Sequence, residues 1–466
     1  MKMKLTLKSL AIIALGLVSS TLAFSQEKVD SLDVHEQRIA NLEDGLLQLK
    51  KLKISGYVQT EWQMSQIDAN GNASKDMKVG GGANAGEKAD AVLNPGSTFN
   101  RFGVRRGRLK ATYTDFGCTG VVYIDATEKG VVLKEAYVAA LDPWAGVVTL
   151  KGGIFNRPFG YEIEYSSSSR ESPERSRIIQ TLFPSERDLG GMITLQAPKT
   201  SPWNVLKLDL GLLAGNAIGL DLKSQKDIIA HLNYVNSIGD IKYGIGASLY
   251  NGGIFNTTKK VYSITDNVFV AQGDSASNFN KMVARQYLGF DGQFSMASVA
   301  GLTTLRGEYI FGSQPGTSSS DASYNGAAAL NTTDTYIRNF AGGYIQLAQD
   351  IADTKHTITV KYDWYDPNTK VAGDNIGAAT TVAGAVKTNK TDIAYSTLGL
   401  GYLYRMNNNI KFMVYYDMPV NEVSSALSAS GSNFTKVLAA NLLTVRMQVK
   451  FSKNNPKIGL IKNKTH

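Results

Sequence analysis

Residues 156–187, NRPFGYEIEYSSSSRESPERSRIIQTLFPSER, set five arginines (Arg157, Arg170, Arg175, Arg177 and Arg187) among five glutamates. A second basic group, Arg106, Arg108 and Lys110 in RFGVRRGRLKATY, is spaced two residues apart. On a strand those three side chains leave the same face. Cationic groups in series suit an anion passed from site to site, and the planar fork of arginine matches phosphate oxygens. Lys151, in LKGGIF, is a further candidate of the same kind. The opposing reading is that Glu162, Glu164, Glu171, Glu174 and Glu186 neutralise the five arginines and hold the segment's fold.

Catalytic chemistry has little support. Of four histidines, His35 lies among heptad leucines, His466 is terminal and His356 falls on the apolar side of a strand. His231 falls on a polar side, with no evident serine or carboxylate companion in sequence. CxxC, HExxH, EF-hand and phosphate-loop patterns are missing from the sequence. Neither an enzyme nor a cofactor or metal is expected.

The elements that must position these residues are strands. NVLKLDLGLL places Leu206, Leu208, Leu210 and Leu212 opposite Lys207, Asp209 and Gly211. NIKFMVYYDM places Ile410, Phe412, Val414 and Tyr416 opposite Lys411, Met413, Tyr415 and Asp417. A period of two with one apolar face means strand. Such stretches predict strands at 54–66, 98–114, 118–127, 131–141, 147–155, 188–197, 203–213, 227–236, 239–250, 283–294, 300–312, 336–349, 355–365, 392–406, 409–417 and 440–451. Short turns (DFG, DPWAG, PKTSP, NSIGD, DIADT, NNN) alternate with long connections such as 67–97, 156–187, 251–282, 313–335, 366–391 and 418–439. About sixteen antiparallel strands with loop length segregated by rim describe an all-β transmembrane barrel of the outer-membrane type. A soluble β-sandwich is the alternative, but its loops need not alternate in length.

The rest of the chain fits export to an outer membrane. Residues 1–25 read as a signal peptide, with a basic start, a short apolar run and Ala23-Phe24-Ser25 before Gln26. Losing Lys2, Lys4 and Lys8 takes the formal charge from +9 to +6. The single cysteine, Cys118, excludes an internal disulfide. With basic residues spread along the chain rather than in blocks, no nucleic-acid partner is expected. Residues 26–53 carry Leu32, Ile39, Leu42, Leu46 and Leu49 at heptad-like steps, the pattern of a short periplasmic helix or coiled coil. The barrel is then 54–451, and 452–466 form a polar periplasmic tail.

A charge on the lipid side at mid-bilayer costs about 2–4 kcal/mol, so residues opposite the apolar face should point inward. That rule turns in Arg106, Arg108, Lys110, Lys151, Lys207, Lys242, Arg285, Arg306, Arg338, Lys361, Arg405, Lys411, Arg446 and Lys450. The clear inward acids are Asp209, Asp291, Glu308, Asp363 and Asp417. The interior reads net basic, which favours anions.

Residues 98–197 resemble the phosphate-selective porin O and P family as it occurs in Bacteroidetes-type bacteria. The resemblance rests on RFGVRRGRLKATY, LKEAYVAAL, LKGGIFNRPFGYE, SPERS and FPSERDLGG. It implies a trimeric sixteen-stranded porin whose third long loop, here 156–187, folds inward and narrows the lumen. Small anions or phosphate would be the permeants, outer-membrane lipid would surround the barrel, and both termini would be periplasmic. A structural or adhesion barrel with partner-binding loops is the competing function.

The heptads generate one test. Deleting residues 32–53 should weaken the trimer in mild detergent while each barrel stays folded. A deletion form as robustly trimeric as its parent would remove any role for the heptads in assembly.

Overall fold

The computed structural model describes residues 51–65, 99–256, 260–273, 278–322, 330–331, 333–430, 432–438 and 440–452, with isolated positions 38, 41 and 45. The signal peptide, the heptad segment apart from positions 38, 41 and 45, the whole 67–97 connection and the tail after Ser452 lie outside the described residues.

Sixteen strands form the wall. They are β1 (Leu52–Ser65), β2 (Phe99–Asp115), β3 (Cys118–Thr127), β4 (Gly130–Leu141), β5 (Val148–Asn156), β6 (Arg187–Gln196), β7 (Leu206–Leu213) and β8 (Asp227–Ile238). The second half comprises β9 (Ile241–Asn256), β10 (Met282–Ser298), β11 (Gly301–Gly316), β12 (Thr335–Asp350), β13 (His356–Asp366), β14 (Tyr395–Arg405), β15 (Ile410–Asn421) and β16 (Leu442–Ser452). Each pairs antiparallel with the next, and β16 returns to β1 from Ser55 opposite Ser452 to Ser65 opposite Leu442. An even number of strands is what lets the first and last pair antiparallel. Closure leaves no edge, so every strand keeps its backbone groups bonded where lipid could not satisfy them.

The side chains follow the pleat. Val58, Leu109, Val122, Ile193, Leu232, Leu249, Ile345, Val360, Leu400, Val414 and Val449 all stand exposed on the outer face. Outer rings cluster as well. Tyr309, Phe311, Tyr362 and Trp364 lie with centroids 5.7–6.3 Å apart, and His356 bonds through Nδ1 to the Tyr402 hydroxyl at 2.6 Å.

All sixteen predicted strands are present, and three local differences have physical causes. Trp203–Val205, expected in β7, form a 3-10 turn led by Pro202 and capped by the Ser201 side chain, which accepts from the Trp203 N–H. A bulge at Gln59/Thr60 leaves Arg105 without a partner in register, so Arg105 and Arg106 both reach an inward carboxylate. A second bulge beside Tyr123/Ile124 does the same to Lys134.

The long loops carry structure of their own. Val261–Thr265 and Val268–Gln272 pair as a hairpin around Asp266 and Asn267, whose φ angles are +49° and +67°. That hairpin joins β12 at Val261 opposite Thr335, and joins Val386–Lys387 at Phe269 opposite Val386. The loops after β13 and β15 share a buried cluster of Val371, Ile376, Ile393, Leu427, Phe434 and Leu438.

Closure makes its own prediction. Removing residues 442–466 leaves β1 and β15 with unpaired edges, each unsatisfied backbone group in lipid costing several kcal/mol. The truncated chain should lose the heat-modifiable gel mobility of a folded barrel. A truncated form that still shifts on heating would contradict the β1–β16 seam.

Candidate functional site

The segment after β5 turns into the barrel, and the residues Pro158, Phe159 and Gly160 seat it. A Cβ on Gly211 of β7 would meet Pro158 at 3.1 Å, and one on Gly289 of β10 would meet the Phe159 ring at 2.8 Å. The wall is glycine where the loop touches it. Gly160 has φ +60°, and a Cβ there would overlap the Glu308 carboxylate. Its N–H donates to Ser248 Oγ at 2.9 Å, and the Glu162 N–H donates to Glu308 Oε2 at 3.0 Å.

Apolar packing completes the seat. Ile178, Ile179 and Leu182 of the short helix α1 (Arg177–Leu182), with Phe159 and Phe183, pack on inward residues of the wall that include Tyr250, Tyr287, Ile310 and Phe340. Phe159 lies 4.9 Å from Phe183, which meets Tyr287 edge-on at 5.7 Å. This part of the interior is therefore an apolar floor rather than a polar lining, which strand alternation alone does not reveal.

The loop's acids then reach the wall's bases. Glu174 takes Arg105 at 2.7 Å, Arg106 at 3.0 Å and Arg446 at 3.1 Å. Glu162 takes Lys361 at 2.7 Å, and Glu171 takes Arg306 at 2.8 Å. Lys411 donates to the carbonyls of Ser168 and Arg170 at 3.1 and 2.9 Å. Burial pushes the Glu174 carboxyl up, but Arg105, Arg106 and Arg446 outweigh it and hold the group well below the usual carboxylate range. A depressed folded value stabilises the docked loop above the ordinary carboxylate pKa. That contribution is lost only as pH falls far below it.

Each candidate residue has a definite place. Arg106 is buried on Glu174, and Arg108 lies 3.1 Å from Asp125. Lys110 lies 3.2 Å from Glu135, which also takes Arg187 at 2.9 Å. Arg157 pairs with Asp188 at 3.1 Å under the seat. Arg175 donates to the carbonyls of Glu162 and Ile163 at 2.8 and 3.1 Å, and Glu186 bridges it to Arg187. Arg170 is buried, and Arg177 lies 3.9 Å over the Tyr395 ring. Lys151 has no carboxylate within 4 Å among the described residues; it lies over the rings of Tyr137 and Phe155. Only Glu186 pairs with loop arginines as a self-neutralising loop would require.

Two findings correct the sequence-level picture. Inward acids are more numerous than alternation suggests, because Glu61, Asp125 and Glu135 join the loop carboxylates. His231 does have a companion: its Nε2 lies 3.1 Å from Asp291 Oδ2, and Ser248 stands opposite it in register. Both partners are buried beside the seated loop.

Between the loop and the β1–β4 wall a cavity of about 280 Å³ remains. Arg108, Lys110, Arg175, Arg187 and Lys450 line it, against Glu135 and Glu164. Ser55, Ser167, Tyr57 and Tyr123 add hydroxyls. A second cavity of about 440 Å³, which shares Lys450 and Ser168, opens toward the short-turn rim beside Lys355, Arg405 and Lys411.

The seat can be tested directly. Gly160→Ala collides with Glu308 and strains a left-handed backbone, so the loop should leave its position. Glu174→Gln removes the one carboxylate shared by three arginines, a loss of about 3–5 kcal/mol for a buried pair. Both variants should show raised single-channel conductance and protease nicking within 157–186 while the barrel stays heat-modifiable. Parental conductance and resistance in both would show that other contacts hold the loop.

The sequence matches no protein-family model and no curated protein. The fold is similar to solved outer-membrane structures. OprB of Pseudomonas putida, solved at high pH, superposes with a TM-score of 0.50 at 8% identity, covering 89% of this chain and 97% of that one. The DcaP channel of Acinetobacter baumannii gives 0.48 at 11% identity, covering 86% and 97%. An anion-selective porin from Comamonas acidovorans gives 0.47 at 11% identity, covering 86% and 99%. At such identity the likeness is one of fold, and the fold is the closed sixteen-stranded barrel of outer-membrane porins.

Proposed function

We propose that this chain is an outer-membrane porin, a passive diffusion channel for small hydrophilic solutes that prefers anions, phosphate among them. The supporting observation is the charge of the cavity left beside the third loop, where five basic side chains face two acidic ones. Its three guanidinium groups, on Arg108, Arg175 and Arg187, are held by Asp125, Glu186 and Glu135, so its two lysines, Lys110 and Lys450, are the cations best placed to meet a permeant anion. Both termini lie in the periplasm on this reading, and three copies associate, with the heptads of residues 32–53 contributing.

Pairing decides which bases matter for selectivity. Arg106, Arg306, Lys361 and Arg446 each hold a loop or wall carboxylate, so their charge is largely cancelled at a distance. Lys151 and Lys450 have no carboxylate within 4 Å among the described residues, and Lys110 shares Glu135 with Arg187. These three lysines should carry the field felt by an ion.

Reversal potentials in a salt gradient test the reading. One charge at about 8 Å in water is worth roughly 0.5 kcal/mol, about twofold in local ion concentration. Replacing Lys110, Lys151 and Lys450 together by glutamine should thus lower the local anion concentration by about tenfold and the anion-to-cation permeability ratio by at least as much. Higher salt should shrink the effect as screening lengths fall. Cation preference in the unmodified channel would overturn the anion reading, and no conductance at all would favour the adhesion barrel.

A further inference from the structure

Cations in this interior are held in two different ways. A carboxylate that holds a lysine also cancels it, whereas an aromatic face positions the ammonium and leaves its charge intact. Across β2 to β5 the inward side chains alternate ring and cation. Arg108 lies 5.4 Å and Lys110 5.3 Å from the centroid of Tyr123. Lys110 is 6.0 Å and Lys151 5.1 Å from Tyr137, and Lys151 is 5.4 Å from Phe155. Register builds the row, since Lys110 stands directly opposite Tyr123, and Tyr137 opposite Gly153, where no side chain competes for space.

We propose that this ring-and-lysine row is a binding subsite for small carboxylates that carry a flat aromatic ring. The inference rests on the diffusion-channel reading and adds the class of solute that is retained. Tyr123 and Tyr137 are half-buried, and Tyr123 and Lys110 line the 280 Å³ cavity. A bare inorganic anion uses only the lysines. An aromatic carboxylate uses both features, its carboxylate on Lys110 or Lys151 and its ring edge or face on a tyrosine. Offset or edge-on ring pairs contribute about 0.5–1.5 kcal/mol, which is roughly a two- to tenfold gain in retention. Lys151 is the pivotal residue, because two rings hold it and no described carboxylate within 4 Å neutralises it.

The test compares benzoate with acetate as blockers of chloride current through the full-length porin in planar bilayers. Benzoate should block several-fold more strongly than acetate at equal concentration. Tyr137→Leu should bring the benzoate-to-acetate ratio close to one, and Tyr137→Phe, which keeps the ring, should preserve it. Lys151→Gln should weaken block by both acids. If the leucine variant fails to fold, Tyr123→Leu removes the neighbouring ring instead and should lower the benzoate-to-acetate ratio in the same way. Chloride preference with equal block by the two acids overturns the subsite and leaves the channel reading standing. A channel with no preference for chloride over potassium overturns the channel's anion reading itself.

Discussion

The contact of Pro158, Phe159 and Gly160 with the wall is the constraint on which the interior depends. Gly211 and Gly289 leave room for a proline and a phenylalanine, and Gly160 leaves room for Glu308. A side chain at Gly160 or Gly289 would collide with its neighbour, and one at Gly211 would press on Pro158 at 3.1 Å. Once that corner is fixed, α1 lies on an apolar floor, and the run from Glu162 to Glu174 extends across the interior toward β1, β2, β11, β13, β15 and β16. The glutamates therefore arrive beside bases contributed by strands far away in sequence.

Those pairings follow from the cost of burying charge. Arg106, Arg446 and Lys361 are all nearly inaccessible. An ion removed from water loses several kcal/mol unless a partner offsets it, so wall bases under the loop require loop acids. The same logic limits what can be inferred from a count of basic residues. Most of the fourteen inward bases hold a carboxylate and contribute little net field, whereas Lys151 and Lys450 do not. On the proposed function, selectivity would thus rest on a minority that alternation cannot distinguish from the majority.

The wall was legible in the sequence because a bilayer enforces a period of two on every spanning strand, and closure enforces an even count. The third loop's inward course was legible only through family resemblance. The bulge that exposes Arg105 was not legible, since one extra residue leaves no mark on composition and merely shifts the phase of alternation. Nor were the partners of Glu174, because Arg105 and Arg446 are more than three hundred residues apart. The apolar floor broke the rule that inward means polar: Ile310 and Phe340 face in, yet what they meet is α1 rather than water. The hairpin at 261–272 was missed although its signal was present. VYSITDNVFVAQ sets Asp-Asn between alternating apolar residues, the chemistry of a tight turn with two left-handed positions.

A loop tied at its corner, its helix and its acidic tip cannot swing as a lid without breaking several buried contacts at once. Among the described residues, the space the loop leaves open includes the cavity beside β1 to β5 and the one that shares Lys450 with it at the short-turn rim. The side chains facing that space divide cleanly by task. Arg106 and Glu174 hold the loop, whereas Lys110 and Lys450 touch no residue of the seat and Lys151 meets its apolar floor at Phe155. Changes at those lysines leave the interlocked glycines and the Glu174 pairs untouched, although Lys110 also holds Glu135 beside Arg187. On the proposed function, the contacts that seat the loop are thus separate from the charges that would give the passage a sign. A sequence could then retune the permeant of such a channel while keeping the barrel and its loop unchanged.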